Sequence, residues 1–261
     1  MSALFTPLEL GSLTIPNRIG MSPMTRNRSS ASRAAGGAGL IVSEDTLVTQ
    51  QRSAWPDAPG IWNKAQAAGW KRITDAVHAH GSKMYCQISH PGRCAHPETP
   101  EQIAAGVPVY APSAIAARGG KFYYFPGTPG YVTPTEIPDP AIIIAQFKEA
   151  AVNAKEAGFD GVELHAAGGY LVHEFLDSSS NKRIDKWGGS VENHTRFALE
   201  ILKALREVFG RDVALKVSPN MGMPRQETIA TFGHLLREVN KLNIAYVAFL
   251  RYMEIQKEFN T

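Results

Sequence analysis

Cysteine is scarce in this sequence: Cys86 and Cys94 are the only two in 261 residues. Small secreted domains that rely on disulfides use more, so a disulfide scaffold is excluded and a reducing, cytoplasmic setting is expected. A dominant charge is also lacking. Lys and Arg number 27 against 24 Asp and Glu, a formal balance of +3, and the basic residues are scattered. Nucleic acid needs a concentrated basic surface, so it is not an expected partner. No apolar run approaches the roughly 20 residues that span a bilayer, which excludes a membrane span. The start, MSALFTPLEL, has no basic segment leading into an apolar one, so no signal peptide is expected. What is present is ample apolar material: 44% hydrophobic against 20% charged residues, enough to bury the core of one globular domain spanning 1–261.

Short apolar runs alternate with longer amphipathic ones, the rhythm of βαβ units on a parallel sheet. Strands are expected at Ile19–Met24, Gly39–Thr46, Lys83–His90, Asp160–Ala166, Val213–Ser218 and Ile244–Leu250. Apolar residues at helical spacing mark Asn63–His80, Ala141–Ala157, Val191–Phe209 and Gln226–Leu242. Two segments break the pattern. Thr25–Ala38 has almost no apolar stripe and is close to the shortest possible crossover, so its helix is expected to be missing or vestigial. Gly92–Asp139, rich in Pro, Gly, Tyr and Phe, is a long loop of the kind that covers an active site.

Parallel strands covered on both faces should be almost wholly apolar. Polar residues nevertheless stand near the C-terminal ends of four of these: Thr25, Gln87, His165 and Lys216. Alternation sets Gln87 opposite Cys86, His165 opposite Leu164, and Lys216 opposite Leu215 and Val217. With the aliphatic side chains toward the helices, the polar ones point inward at the end where (β/α) barrels carry their active sites. Any one of them alone reads equally as a satisfied buried polar group. Glu163 shares His165's face, either as its orienting partner or as a solvated barrel residue. His90, Cys94 and His96 lie close in sequence, but their spacing fits no standard zinc pattern, and no metal site is expected. Asp185 and Glu192 read as caps and loop ties rather than an acid/base pair.

Several stretches also resemble the old yellow enzyme family: Asn17-Arg18-Ile19 with Ser22-Pro23-Met24-Thr25, PGIW at 59–62, QISHPGR at 87–93, APSAIAARGG at 111–120, GFDGVELHAAGGYL at 158–171 and SNKRIDKWGGSVENHTRF at 180–197. In the last, Asn181, Arg183, Asp185, Gly188, Gly189, Glu192, Asn193 and Arg196 form a specific signature, read as ordering the loop after the fourth strand. The resemblance implies an α/β fold of the (β/α)8 TIM-barrel type, holding FMN, reduced by NAD(P)H, and reducing an activated C=C bond in an enone-type small molecule. It implies that Pro23, Met24 and Thr25 line the flavin ring, that Gln87 bonds its pyrimidine part, and that Lys216 supplies the cation beside it. A lysine keeps that charge without an arginine's planar fork. Tyr170 stands where the family delivers a proton, with a rim aromatic as the plainer reading. His165 is implied as a donor to the substrate carbonyl oxygen.

Two departures bear on this. Gly168 occupies the place of the second carbonyl donor, and a site short of one donor forgoes about 2.7–4 kcal/mol of barrier lowering. The sequence yields six strands rather than eight, so an incomplete barrel is expected, without the strands seven and eight where the resemblance places the FMN phosphate. Open sheet edges of that kind imply a homo-oligomer that pairs them, closure into a smaller irregular barrel, or an incomplete product that folds poorly. Three functions therefore stay open: an FMN-dependent ene-reductase with impaired chemistry, a flavin-independent isomerase or epimerase acting beside a carbonyl in the same pocket, and a catalytically silent interaction module.

Overall fold

The computed structural model describes residues 2–24, 31–50, 58–119, 130–219 and 223–250. An antiparallel hairpin comes first, β1 (Leu8–Leu10) with β2 (Leu13–Ile15). Then follow β3 (Gly20–Met21), α1 (Ala31–Ala35), β4 (Leu40–Val42), β5 (Thr46–Leu47), α2 (Lys64–His78), β6 (Lys83–Ser89) and α3 (Pro100–Ala105). A short pair, β7 (Tyr110–Ala111) and β8 (Thr135–Glu136), precedes α4 (Pro140–Glu156), β9 (Gly161–Ala166) and α5 (Leu171–Leu176). The described chain closes with α6 (Val191–Phe209), β10 (Val213–Val217), α7 (Arg225–Leu242) and β11 (Tyr246–Phe249).

The main sheet is wholly parallel, in the order β3-β4-β6-β9-β10-β11, with β5 alongside the upper part of β6. It is a half-barrel of six parallel strands, β4 and β5 being the two halves of the expected second strand. Ser43 causes that interruption: its hydroxyl takes the Gln87 backbone N–H at 2.9 Å. The vestigial first crossover is borne out by the five-residue α1. The Gly92–Asp139 loop carries its own structure, with α3 capped at its end by Gly106 and β8 paired in parallel with β7. No helix among the described residues is long and apolar enough to cross a membrane.

Alternation along the strands decides the two faces. Ile41, Met84, Cys86, Ile88, Val162, Leu164, Val213, Leu215 and Val217 point outward into one core with α2, α4 and α6. Phe175 and Phe197 stack there at 3.9 Å between ring centroids. The inner face begins apolar, where Leu40, Val42, Tyr85 and Ala214 pack on Ile15 and the hairpin. That hairpin, which the strand rhythm did not reveal, plugs the N-terminal end of the half-barrel. It is pinned by Asp212, whose carboxylate accepts the Ser12 N–H at 2.7 Å and the Ser12 hydroxyl. Gly11 turns the hairpin with φ +65°, and a Cβ there would lie 2.5 Å from Asp212 Oδ1. With that end filled, the other end is left to hold a ligand.

Candidate active site

The strand register assembles the site in rungs. Gln87 pairs with Glu163, Glu163 with Ala214, and Ala214 with Tyr246. Two residues further toward the C-terminal ends, His165 pairs with Lys216 and Lys216 with Ala248. Gln87, His165 and Lys216 therefore share one face, as expected, but Gln87 stands one rung below the other two. Glu163 corrects the reading of it as a solvated residue or as the partner of His165. It is 1% exposed and accepts a hydrogen bond from Gln87 Nε2 at 2.6 Å. Burial raises its carboxyl, with Gln87, Tyr246 and Lys216 pulling the other way. The Lys216 ammonium closes no hydrogen bond or ion pair among the described residues, though it acts through space on Asp45, Glu163 and His165.

His165 is poised as a neutral donor. Burial, aided by Lys216 and His173, lowers its pKa to about 3, so the ring carries no charge at neutral pH. Its Nδ1 faces the Ala167 N–H at 3.3 Å, which leaves the ring proton on Nε2. Tyr170 caps the start of α5 and meets His165 edge-on, with ring centroids 5.0 Å apart. Gly168 lies between them at φ +68°, its N–H bonded to Ser218 Oγ at 3.0 Å. A Cβ at that position would meet only His165 Cε1, at 3.9 Å. Among the described residues, this part of the rim brings together an imidazole and a phenol, with glycine between them.

Pro23 and Met24 follow β3 at the same end of the sheet, Met24 42% exposed. Thr25 lies outside the described residues. The signature loop is knit as a structural unit. Arg183 holds Asp185 and Glu136 and donates to the carbonyls of Pro112 and Ile137, tying the loop to β7 and β8. Asn181 bonds the Phe175 and Trp187 carbonyls, while Asn193 bonds that of Gly188. Cys94 is held by burial at about 12, far from thiolate, with Sγ against the Gly169 carbonyl at 3.5 Å. In the same motif His90 Nδ1 accepts the Gly92 N–H at 3.1 Å and His96 Nδ1 that of Glu98 at 3.3 Å, so both histidines serve loop turns.

Sequence reasoning missed Asp45 and Ser89. The Asp45 carboxyl is pushed up to about 6 by burial, opposed by Ser89 and Lys216, and its Oδ1 is buried without a partner. Ser89 Oγ is buried beside it. The available signal was a carboxyl and a serine at strand ends, too common to single out.

A parallel half-barrel with imidazole, phenol, amide and ammonium at the C-terminal ends of its strands has the layout of a (β/α)-barrel enzyme. The sequence profile of the NADH:flavin oxidoreductase / NADH oxidase family matches residues 3–259. The chanoclavine-I aldehyde reductase of Penicillium roqueforti is 40% identical over 264 residues, covering 95% of this chain and 69% of that protein. The old yellow enzyme homologue from Zymomonas mobilis superposes with a TM-score of 0.84 at 33% identity, over 95% of this chain and 73% of that one. Morphinone reductase in complex with tetrahydroNAD gives a TM-score of 0.85 at 36% identity, over 99% and 77% respectively. The chain belongs to the NADH:flavin oxidoreductase / NADH oxidase family, the old yellow enzymes, and is an oxidoreductase whose cofactors are FMN and NAD(P)H.

The residues present fit a flavin ring. Asp45 Oδ1 and Ser89 Oγ lie buried at the strand ends, Gln87 keeps a carbonyl oxygen to spare, and Lys216 is a cation free of ion pairs among the described residues. Such a mixed donor and acceptor set suits a planar heterocycle bearing carbonyls and an N–H.

Proposed function

We propose that this protein reduces the C=C bond of a small α,β-unsaturated carbonyl compound, preferring enals to enones. The observation that carries this is the His165–Tyr170 pair: a neutral imidazole donor and a phenol, 5.0 Å apart. FMN, when bound, supplies the hydride chemistry fed by NAD(P)H. Pro23, Met24 and Thr25 would line its ring, with Gln87 at the pyrimidine part and Lys216 as the adjacent cation. His165 Nε2–H donates to the substrate's carbonyl oxygen and draws charge toward it, which makes the β-carbon electrophilic. Tyr170 gives its hydroxyl proton to the α-carbon as negative charge develops there.

The preference for an aldehyde follows from Gly168. With one carbonyl donor among the described rim residues, the acceptor's own electrophilicity matters more, and an aldehyde is more electrophilic than a ketone. The relative from P. roqueforti is named for an aldehyde. A flavin-independent isomerase built on Tyr170 and His165 would need the imidazole as its base, and at about 3 it is too weak to serve.

The test is spectroscopic and then kinetic. Purified protein with added FMN should give a bound-flavin spectrum, bleach anaerobically with NAD(P)H, and regain colour faster with an enal than with the matching enone. Failure to bind FMN would overturn the reading, and recovery favouring the enone would overturn the aldehyde preference. Tyr170→Phe keeps the ring against His165 but removes the acid, so recovery should slow by roughly 100-fold while bleaching by NAD(P)H is unchanged.

A further inference from the structure

Glu163 has no part in the chemistry above, yet it occupies the floor directly beneath it. The β6–β9 register sets it opposite Gln87, and both side chains are 1% exposed. Its Oε1 takes a hydrogen from Gln87 Nε2 at 2.6 Å, while the Gln87 backbone N–H is fixed by Ser43 Oγ at 2.9 Å. A carboxamide ends in two groups of similar shape and opposite hydrogen-bonding sense. Turned one way it offers a ligand its carbonyl oxygen; turned by half a rotation it offers an NH2. With Glu163 Oε1 accepting from the NH2 end, the amide oxygen is left for a ligand. Alanine at 214 fills the next place on the rung and cannot compete for the amide.

We infer that Glu163 is a positioning residue that locks the Gln87 amide with its carbonyl oxygen toward the site, as the acceptor for the imide N–H of a flavin's pyrimidine ring. This rests on the FMN reading above and names the group that sets its hydrogen-bond polarity. A purely structural role would make Glu163 matter for folding and leave ligand polarity indifferent to it.

Two measurements of FMN dissociation, by quenching of flavin fluorescence, test this without recourse to turnover. Glu163→Leu, of similar volume, should weaken FMN about 10-fold, one hydrogen bond's worth. Glu163→Gln keeps an acceptor oxygen for Gln87 but can equally turn its own NH2 to it, so it should restore only part of the loss. In a Gln87→Ala background Glu163→Leu should add less than about twofold, since the residue it orients is gone. Effects that multiply independently overturn the inference. The second measurement uses the wild-type protein and so does not depend on any variant folding. FMN methylated at the imide nitrogen lacks that N–H and should bind about 10-fold more weakly than FMN. Equal binding of the two overturns the assigned polarity. Wild-type protein that binds no FMN overturns this inference together with the flavin reading, whereas tight FMN binding with independent effects overturns this inference alone.

Discussion

Gly168→Asn should accelerate reoxidation by an unsaturated carbonyl compound roughly 100- to 1000-fold, the range that one well-placed donor commands at a developing oxyanion. The position is open to it. The backbone there has φ +68°, a region that asparagine enters more readily than other side chains do. The added Cβ would meet only His165 Cε1, at an ordinary 3.9 Å. The existing hydrogen bond to Ser218 uses the backbone N–H, so the exchange preserves it. An amide here would stand beside the imidazole and supply a second donor, which the described rim residues do not show. Gly168→Ala is the control: it carries the same backbone cost, on the order of 1 kcal/mol, with no donor. Stopped-flow reoxidation of pre-reduced protein isolates the relevant step. Equal rates for the Asn and Ala variants would mean that the carbonyl oxygen does not lie beside residue 168. The enal preference should also shrink in the Asn variant, because a stronger donor set makes the acceptor's own electrophilicity matter less.

Glu174→Gln should stabilise the fold increasingly as pH rises. Glu174 lies in α5 with 1% of its surface exposed. Its Oε1 takes the Arg93 N–H at 2.9 Å, and Oε2 is buried without a partner. Burial raises the carboxyl from 4.5 to about 8, against the opposing charge and N–H of Arg93 and with some help from Asp177. The folded state thus holds a proton that the unfolded chain gives up near 4.5. Stability falls as pH rises above that value, and the penalty is complete once the folded carboxyl ionises above about 8. The loss is on the order of 3 kcal/mol at pH 7 and approaches about 5 above pH 8. Glutamine is neutral throughout and keeps an oxygen for the Arg93 N–H. The difference in melting temperature between variant and wild type should be small near pH 4.5, widen up to about pH 8 and level off above it. A difference independent of pH would contradict the account.

Much of this was legible in the sequence because a parallel sheet has a simple code. Runs such as KMYCQIS and GVELHA are buried on both faces, and a polar residue within them has few reasons to be there. Period-2 alternation then assigns its face. That reasoning put Gln87, His165 and Lys216 on one surface, where the structure places them. Val191–Phe209 was set to the residue by a serine cap and a glycine stop. It did not give levels between strands. Register depends on how neighbouring strands slide, and so Gln87 came to rest opposite Glu163 rather than beside His165. The N-terminal hairpin was equally hidden, since two three-residue strands are too short for a periodic signal.

The sequence by itself determined the half-barrel of parallel strands and the family, because these depend on local patterning and on residues named by their place in a motif. The tertiary structure alone decided the partners: that Glu163 answers to Gln87 rather than to His165, that Asp45 feels the charge of Lys216, and that Glu174 seals the Arg93 turn. Those pairings join residues tens of positions apart. They arise only when packing brings the residues together and takes their charges out of water.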